Sequence, residues 1–131
     1  MTDPNFIILY VNNPTVSTEF YTTLMKKTPV EASSTFSLFA LESGMMFGLW
    51  SKHTVEPEAQ GQAGSGELAF SVASNNAVDT LYTDWRERGL TIAQPPTNMD
   101  FGYTFVALDP DKHRLRVFSP SASVLEKRAL R

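Results

Sequence analysis

Three observations predict an α+β fold of two βαβββ modules whose mixed sheets curl around a cleft. Short apolar runs rich in β-branched and aromatic residues alternate with single stretches of helical periodicity. The same order of elements occurs twice along the chain. A polar segment from Ser51 to Ser65, rich in Gly, Gln, Glu and Pro, separates the two occurrences and reads as a linker.

Phe6 to Val11 (FIILYV) reads as a buried strand, punctuated by Asn12, Asn13 and Pro14. Pro14 or Thr15 opens a helix, because the missing proline N–H costs little in a first turn. Val16, Phe20, Tyr21, Leu24 and Met25 recur near helical spacing through Lys27, and Pro29 ends the helix. Strands are expected at Val30 to Ser34, Thr35 to Leu41 and Met45 to Trp50, the last two joined by a turn at Ser43 and Gly44. After the linker, Glu67 to Val72 is a strand. Asn75 or Asn76 caps a helix carrying Val78, Leu81, Tyr82 and Trp85 on one face, closed by Gly89. Thr91 to Ala93, a break at Pro95 and Pro96, strands at Tyr103 to Leu108 and Arg114 to Phe118, and a turn at Asp109-Pro110-Asp111 complete the second half. The charged tail, 121–131, reads as a short helix or a frayed end.

A shift of 61 residues lays Val11 on Val72, Phe20 on Leu81, Tyr21 on Tyr82 and Thr22 on Thr83. Near the ends of the halves the shift is 68, laying Trp50-Ser51 on Phe118-Ser119, with the extra residues expected in loops. The organisation is one domain, 1–131, with module one at 5–51, a linker at 52–65, module two at 66–120 and the tail. Each module leaves one sheet face uncovered, and a concave, partly apolar cleft is where ligands usually bind.

Composition narrows the function classes. With 42% hydrophobic and 19% charged residues, the chain can build a core. A net charge of −3 gives no electrostatic reason to bind nucleic acid or an anionic membrane. There is no apolar run long enough to span a bilayer, and the first residues lack the basic and apolar regions of a signal peptide, so a cytoplasmic location is expected. The absence of Cys removes disulfides, thiolate nucleophiles and Cys-based metal sites. No G-x-S-x-G elbow, P-loop or nucleophilic triad is present. His53 lies in the linker and His113 in a turn, and both read as solvated surface histidines. Asp109 and Asp111 read as turn residues rather than a catalytic pair.

The segment Phe101-Gly102-Tyr103-Thr104-Phe105-Val106, continuing to Asp109-Pro110-Asp111, resembles the "FGRTF…DPDG" ending of the vicinal-oxygen-chelate superfamily. That superfamily includes glyoxalase I, extradiol dioxygenases and bleomycin-resistance proteins. Tyr10-Val11-Asn12 through Glu19-Phe20-Tyr21 is similar to its opening, and the likeness covers roughly residues 5 to 120. Lys112 departs from the usual Gly, which alters a turn. Within the superfamily the chain looks most like phenazine-antibiotic resistance proteins, through the Phe-Tyr helix, Lys26 to Val30, a strand ending in Trp-Ser, and the FG-x-TF segment.

The resemblance implies four metal-ligand positions, which fall on Phe6, Gly48, Glu67 and Arg116. Phe and Gly offer no ligand atom and Arg is a permanent cation, which leaves Glu67 as one carboxylate where catalytic zinc sites use about three protein ligands. No metal and no cofactor are therefore expected. Alternation along the strands sends Ile8 and Tyr10 with Phe6, Met46 and Trp50 with Gly48, Ala69 and Ser71 with Glu67, and Arg114 and Phe118 with Arg116. The expected ligand-binding set is Phe6, Tyr10, Gly48, Trp50, Glu67, Tyr103, Arg116 and Phe118. In it Trp50 is a stacking platform, Arg116 either an anchor for a ligand carboxylate or the partner of Glu67 in a salt bridge that replaces the lost metal, and the stretch from Met99 to Tyr103 a cover. The leading reading is metal-independent sequestration of a small planar aromatic compound, of the antibiotic-resistance type. The alternative is a metal-dependent enzyme of the glyoxalase or dioxygenase kind. The resemblance also implies a homodimer.

Overall fold

The computed structural model describes residues 3–62 and 65–129. The outermost residues of the predicted tail and two residues of the predicted linker lie outside the described residues. The chain divides into two compact units, Met1–Ala63 and Gly64–Arg131.

In the first unit, β1 (Phe6–Val11) leads into α1 (Pro14–Met25), followed by β2 (Glu31–Ala32), β3 (Phe36–Ala40) and β4 (Met46–Ser51). The sheet order is β1-β4-β3-β2, with β1 parallel to β4 and the remaining pairs antiparallel. Asn13 caps α1 through its side-chain oxygen, which accepts from the N–H groups of Thr15 and Val16, with Pro14 in the first turn. The helix buries Pro14, Ser17 and Tyr21, while Val16 is exposed, so the buried stripe lies one step round from the expected one. Tyr21 meets Phe47 edge-on at 4.9 Å, and Phe39 stacks on Phe47 at 6.0 Å. The helix stops at Met25, short of the expected Lys27, because Lys26 takes the left-handed conformation (φ 55°) and turns its N–H to the Thr22 carbonyl. The expected strand at Val30 to Ser34 contracts to two residues, although Val30 and Ser33 still donate to the carbonyls of Leu38 and Phe36.

In the second unit, β5 (Glu67–Ser71), α2 (Asn75–Glu87), β6 (Thr91–Met99), β7 (Gly102–Leu108) and β8 (Arg114–Pro120) repeat the plan, and α3 (Ala122–Ala129) follows. The sheet order is β5-β8-β7-β6, again with the first pair parallel. Ser74, not Asn75 or Asn76, caps α2: its hydroxyl accepts from Ala77 N–H at 3.1 Å, and Asn75 is already helical. Trp85 packs edge-on against Phe70 and Phe105, and Tyr82 against Phe105. Both units are α+β with a curled, unclosed mixed sheet.

The repeat is preserved at the level of strand register. Ile8 faces Gly48 and Leu38 faces Gly48; in the second unit Ala69 faces Arg116 and Val106 faces Arg116. These pairs are the ones the two sequence shifts superimpose. The additional residues of the second half do not sit in loops, as expected, but in a strand: β6 has nine residues where β2 has two. Nor do Pro95 and Pro96 break it. They lie inside β6, an edge strand, where a missing N–H leaves no ladder bond unmade on the open side, and the pairing slips around Gln94 to absorb them.

His113 is not a solvated surface residue. It is 6% exposed, and its Nδ1–H donates to Asp109 Oδ2 at 2.9 Å. The Asp109 carboxylate outweighs burial and raises the His113 pKa above its ordinary value. His53 is exposed as expected, and its Nε2 lies 2.9 Å from Asn12 Oδ1. The first turns of the linker are anchored too: Val55 is buried and donates to the Ser51 carbonyl.

Candidate functional site

Strand alternation gives each sheet one face against its helix and one face without a helix. In the first unit Ile7, Leu9, Val11, Phe47 and Leu49 alternate with Phe6, Ile8, Tyr10, Met46 and Trp50. The register pairs Phe6 with Met46, Ile8 with Gly48 and Tyr10 with Trp50, so these six share one face. Phe36 joins them opposite Trp50, its ring edge-on at 6.0 Å. That face stays open to a degree unusual for such side chains: Phe6, Ile8 and Tyr10 are 53%, 40% and 44% exposed. A Cβ at Gly48 would stand 3.2 Å from the Phe36 ring, so a side chain there would press that ring away by a few tenths of an ångström.

The corresponding face of the second unit is polar at its centre. Glu67, Ala69, Ser71, Arg114, Arg116 and Phe118 share it, with Thr104 and Val106 across the β7–β8 pair. Arg116 Nε donates to Glu67 Oε2 at 2.6 Å and Nη2 to Oε1 at 3.5 Å. Arg116 Nη1 donates to Thr104 Oγ1 at 3.2 Å, and that hydroxyl in turn donates to the Val117 carbonyl at 2.9 Å. The guanidinium carbon lies 5.4 Å from the centre of the Phe101 ring, and Phe101 meets Phe118 edge-on at 5.9 Å. Arg116 is thus fixed by an anion, a hydroxyl and a ring.

The expected site residues therefore fall into two groups and one exception. Phe6, Tyr10, Gly48 and Trp50 share the open face of the first sheet, and Glu67, Arg116 and Phe118 share that of the second. Tyr103 is the exception. It alternates with Thr104 onto the helix side, where its hydroxyl donates to Asp79 Oδ1 of α2 at 2.7 Å, a bond that raises its pKa above the usual phenol value. Its role is to tie β7 to α2. Thr104, which was not among the expected residues, contacts Arg116, as does Phe101 of the expected cover. Reading the β7–β8 hairpin outward from Phe118 places Thr104, rather than Tyr103, beside it. The expected cover is a tight turn, its Phe101 carbonyl accepting from Ser121 N–H at 2.7 Å.

The side chains at the implied ligand positions do not fit a divalent ion. Phe6 and Gly48 carry no donor atom, and Glu67 is turned onto a guanidinium. Among the described residues, no cluster of three or more His, Asp or Glu side chains is placed to hold a metal ion. No helix among them is long and apolar enough to cross a membrane.

A duplicated βαβββ plan with open, curled sheets defines a class of proteins. The chain belongs to the Glyoxalase/Bleomycin resistance protein/Dioxygenase superfamily, whose family model matches residues 4–117. It is 33% identical over 118 residues to the phenazine antibiotic resistance protein EhpR of Enterobacter agglomerans, covering 87% of this chain and 89% of that protein. The solution structure of protein ATC0852 from Agrobacterium tumefaciens is 53% identical, with a TM-score of 0.85 over 93% of this chain and 100% of the other. A glyoxalase/bleomycin resistance protein/dioxygenase from Nocardioides shares the fold at 22% identity, with a TM-score of 0.78 over 93% of this chain and 85% of its own.

Proposed function

We propose that this chain binds a small planar aromatic compound without a metal ion, in the manner of a resistance protein that sequesters its ligand. The observation that carries the reading is the open aromatic face of the first sheet, where Phe6, Tyr10 and Trp50 stand on one side of two paired strands. Offset stacking on such rings contributes about 0.5–1.5 kcal/mol per pair beyond buried area. The likeness to a phenazine antibiotic resistance protein supports a tricyclic aromatic ligand class. In this reading the protein works as a homodimer in the cytoplasm and removes its ligand from circulation unaltered.

Tryptophan fluorescence tests the reading. The sequence has two tryptophans, Trp50 on the open face and Trp85 packed between Phe70 and Phe105. Titration with a phenazine is expected to quench the Trp50 component at roughly 10 μM, and Trp50→Ala to weaken binding about tenfold while leaving the Trp85 emission unquenched. No quenching, or quenching unchanged in the variant, contradicts the assignment.

A further inference from the structure

An arginine offers a carboxylate two matching edges, one from Nε and Nη2 and one from the two Nη groups. In this chain Glu67 already fills the first edge, and Thr104 takes one N–H of Nη1. Two of the five guanidinium N–H groups, one on each Nη, are not used by these bonds. Beside them stand the Glu67 oxygens, which retain acceptor capacity on a side chain about one-third exposed. The face therefore presents donors and acceptors side by side, with the charge of Arg116 already balanced. A ligand carboxylate has to dislodge Glu67 or lie against it, and either costs Coulomb energy. A carboxamide meets no such penalty: its carbonyl accepts from an Nη and its NH₂ donates to Glu67.

We infer that Glu67 determines specificity at this site, turning Arg116 from an anchor for carboxylates into half of an acceptor–donor pair that selects a planar ligand bearing a neutral carboxamide-type group. This rests on the reading that the chain binds planar aromatic molecules, and it draws only on the second unit's own face, where Phe101 lies against Arg116 and meets Phe118. Arg114 shares the face and is exposed, directly opposite Glu67 in the β5–β8 register. Its charge attracts any anion at long range, and that attraction is screened by salt.

The test compares phenazine-2-carboxamide with phenazine-2-carboxylate, at about 0.5 M NaCl to suppress the Arg114 contribution. The natural protein is expected to bind the amide about tenfold more tightly. Glu67→Gln, which keeps the shape and an acceptor for Arg116, is expected to reverse the order, and Glu67→Ala to do the same. Circular dichroism and the melting temperature establish that each variant is folded. Equal or tighter binding of the carboxylate by the natural protein overturns the inference and leaves the aromatic-binding reading standing. A preference unchanged in folded Glu67→Gln also overturns the inference alone. Failure of both compounds to bind overturns the reading beneath it.

Discussion

Replacing Gly102 by alanine is expected to destabilise the protein by about 3 kcal/mol or more. Gly102 opens β7 at φ 148°, a backbone conformation that residues with a side chain rarely adopt. It is paired on both sides, with Met99 and with Pro120. A Cβ there would collide with the Ser119 carbonyl oxygen and lie 3.1 Å from Pro120 Cα. Both are backbone atoms of the adjoining strand, so no side chain can swing aside. Strain and overpacking therefore act together, and relief requires opening the β7–β8 ladder beside Phe101. Gly44→Ala is the control: Gly44 also has positive φ, 95°, but an added Cβ meets nothing within 4 Å. Only backbone strain remains, about 1 kcal/mol. Urea denaturation of the two variants checks the difference, and equal losses would show that the close approach at Ser119 is not felt.

Asp109→Ala is expected to cost about 3 kcal/mol, although a carboxylate in a turn looks dispensable. Asp109 is 5% exposed. Its Oδ1 accepts from the N–H groups of Asp111 and His113 at 2.9 and 2.8 Å, and its Oδ2 from the His113 ring. Truncation leaves two turn amides and a buried imidazole without their acceptor. The loss also depends on pH. His113 has a folded pKa raised above the ordinary 6.5, chiefly by the Asp109 hydrogen bond. The charged pair therefore adds stability that is fully present below that ordinary value and is lost as pH rises through the folded value. The stability gap between the natural protein and His113→Gln, measured by urea denaturation from about pH 5.5 to about pH 9, is expected to narrow with rising pH. A gap that widens would reverse the sign of the assignment.

Much of the fold was legible because two periodicities repeat. Strand alternation and helical spacing recur at shifts that the observed register reproduces, Ile8 with Gly48 and Ala69 with Arg116. The failures have physical causes. Pro95 and Pro96 read as a break because a proline cannot donate to a ladder, and the sequence does not mark β6 as an edge. His113 read as surface because the buried acceptor beside it, Asp109, is disguised as a turn residue. The open faces were legible by parity, which placed Phe6, Tyr10, Trp50 and Arg116 correctly on their own sheets. Tyr103 was read as the end of a covering loop, whereas it lies inside β7 with its hydroxyl on Asp79 of α2. Glu67 and Arg116 were legible as an opposed charge pair, and the salt bridge between them forms; which edge of the guanidinium the carboxylate takes was beyond parity.

The claim on which the function rests is that a planar aromatic ligand is held by side chains alone. Calorimetric titration of the purified protein with phenazine-2-carboxamide, in metal-stripped buffer with and without EDTA, addresses it directly. Binding near 1:1 per chain, with the same affinity in both buffers, is the predicted result. Heat that disappears on chelation and returns with added zinc or manganese would show that an ion holds the ligand, and would contradict the account.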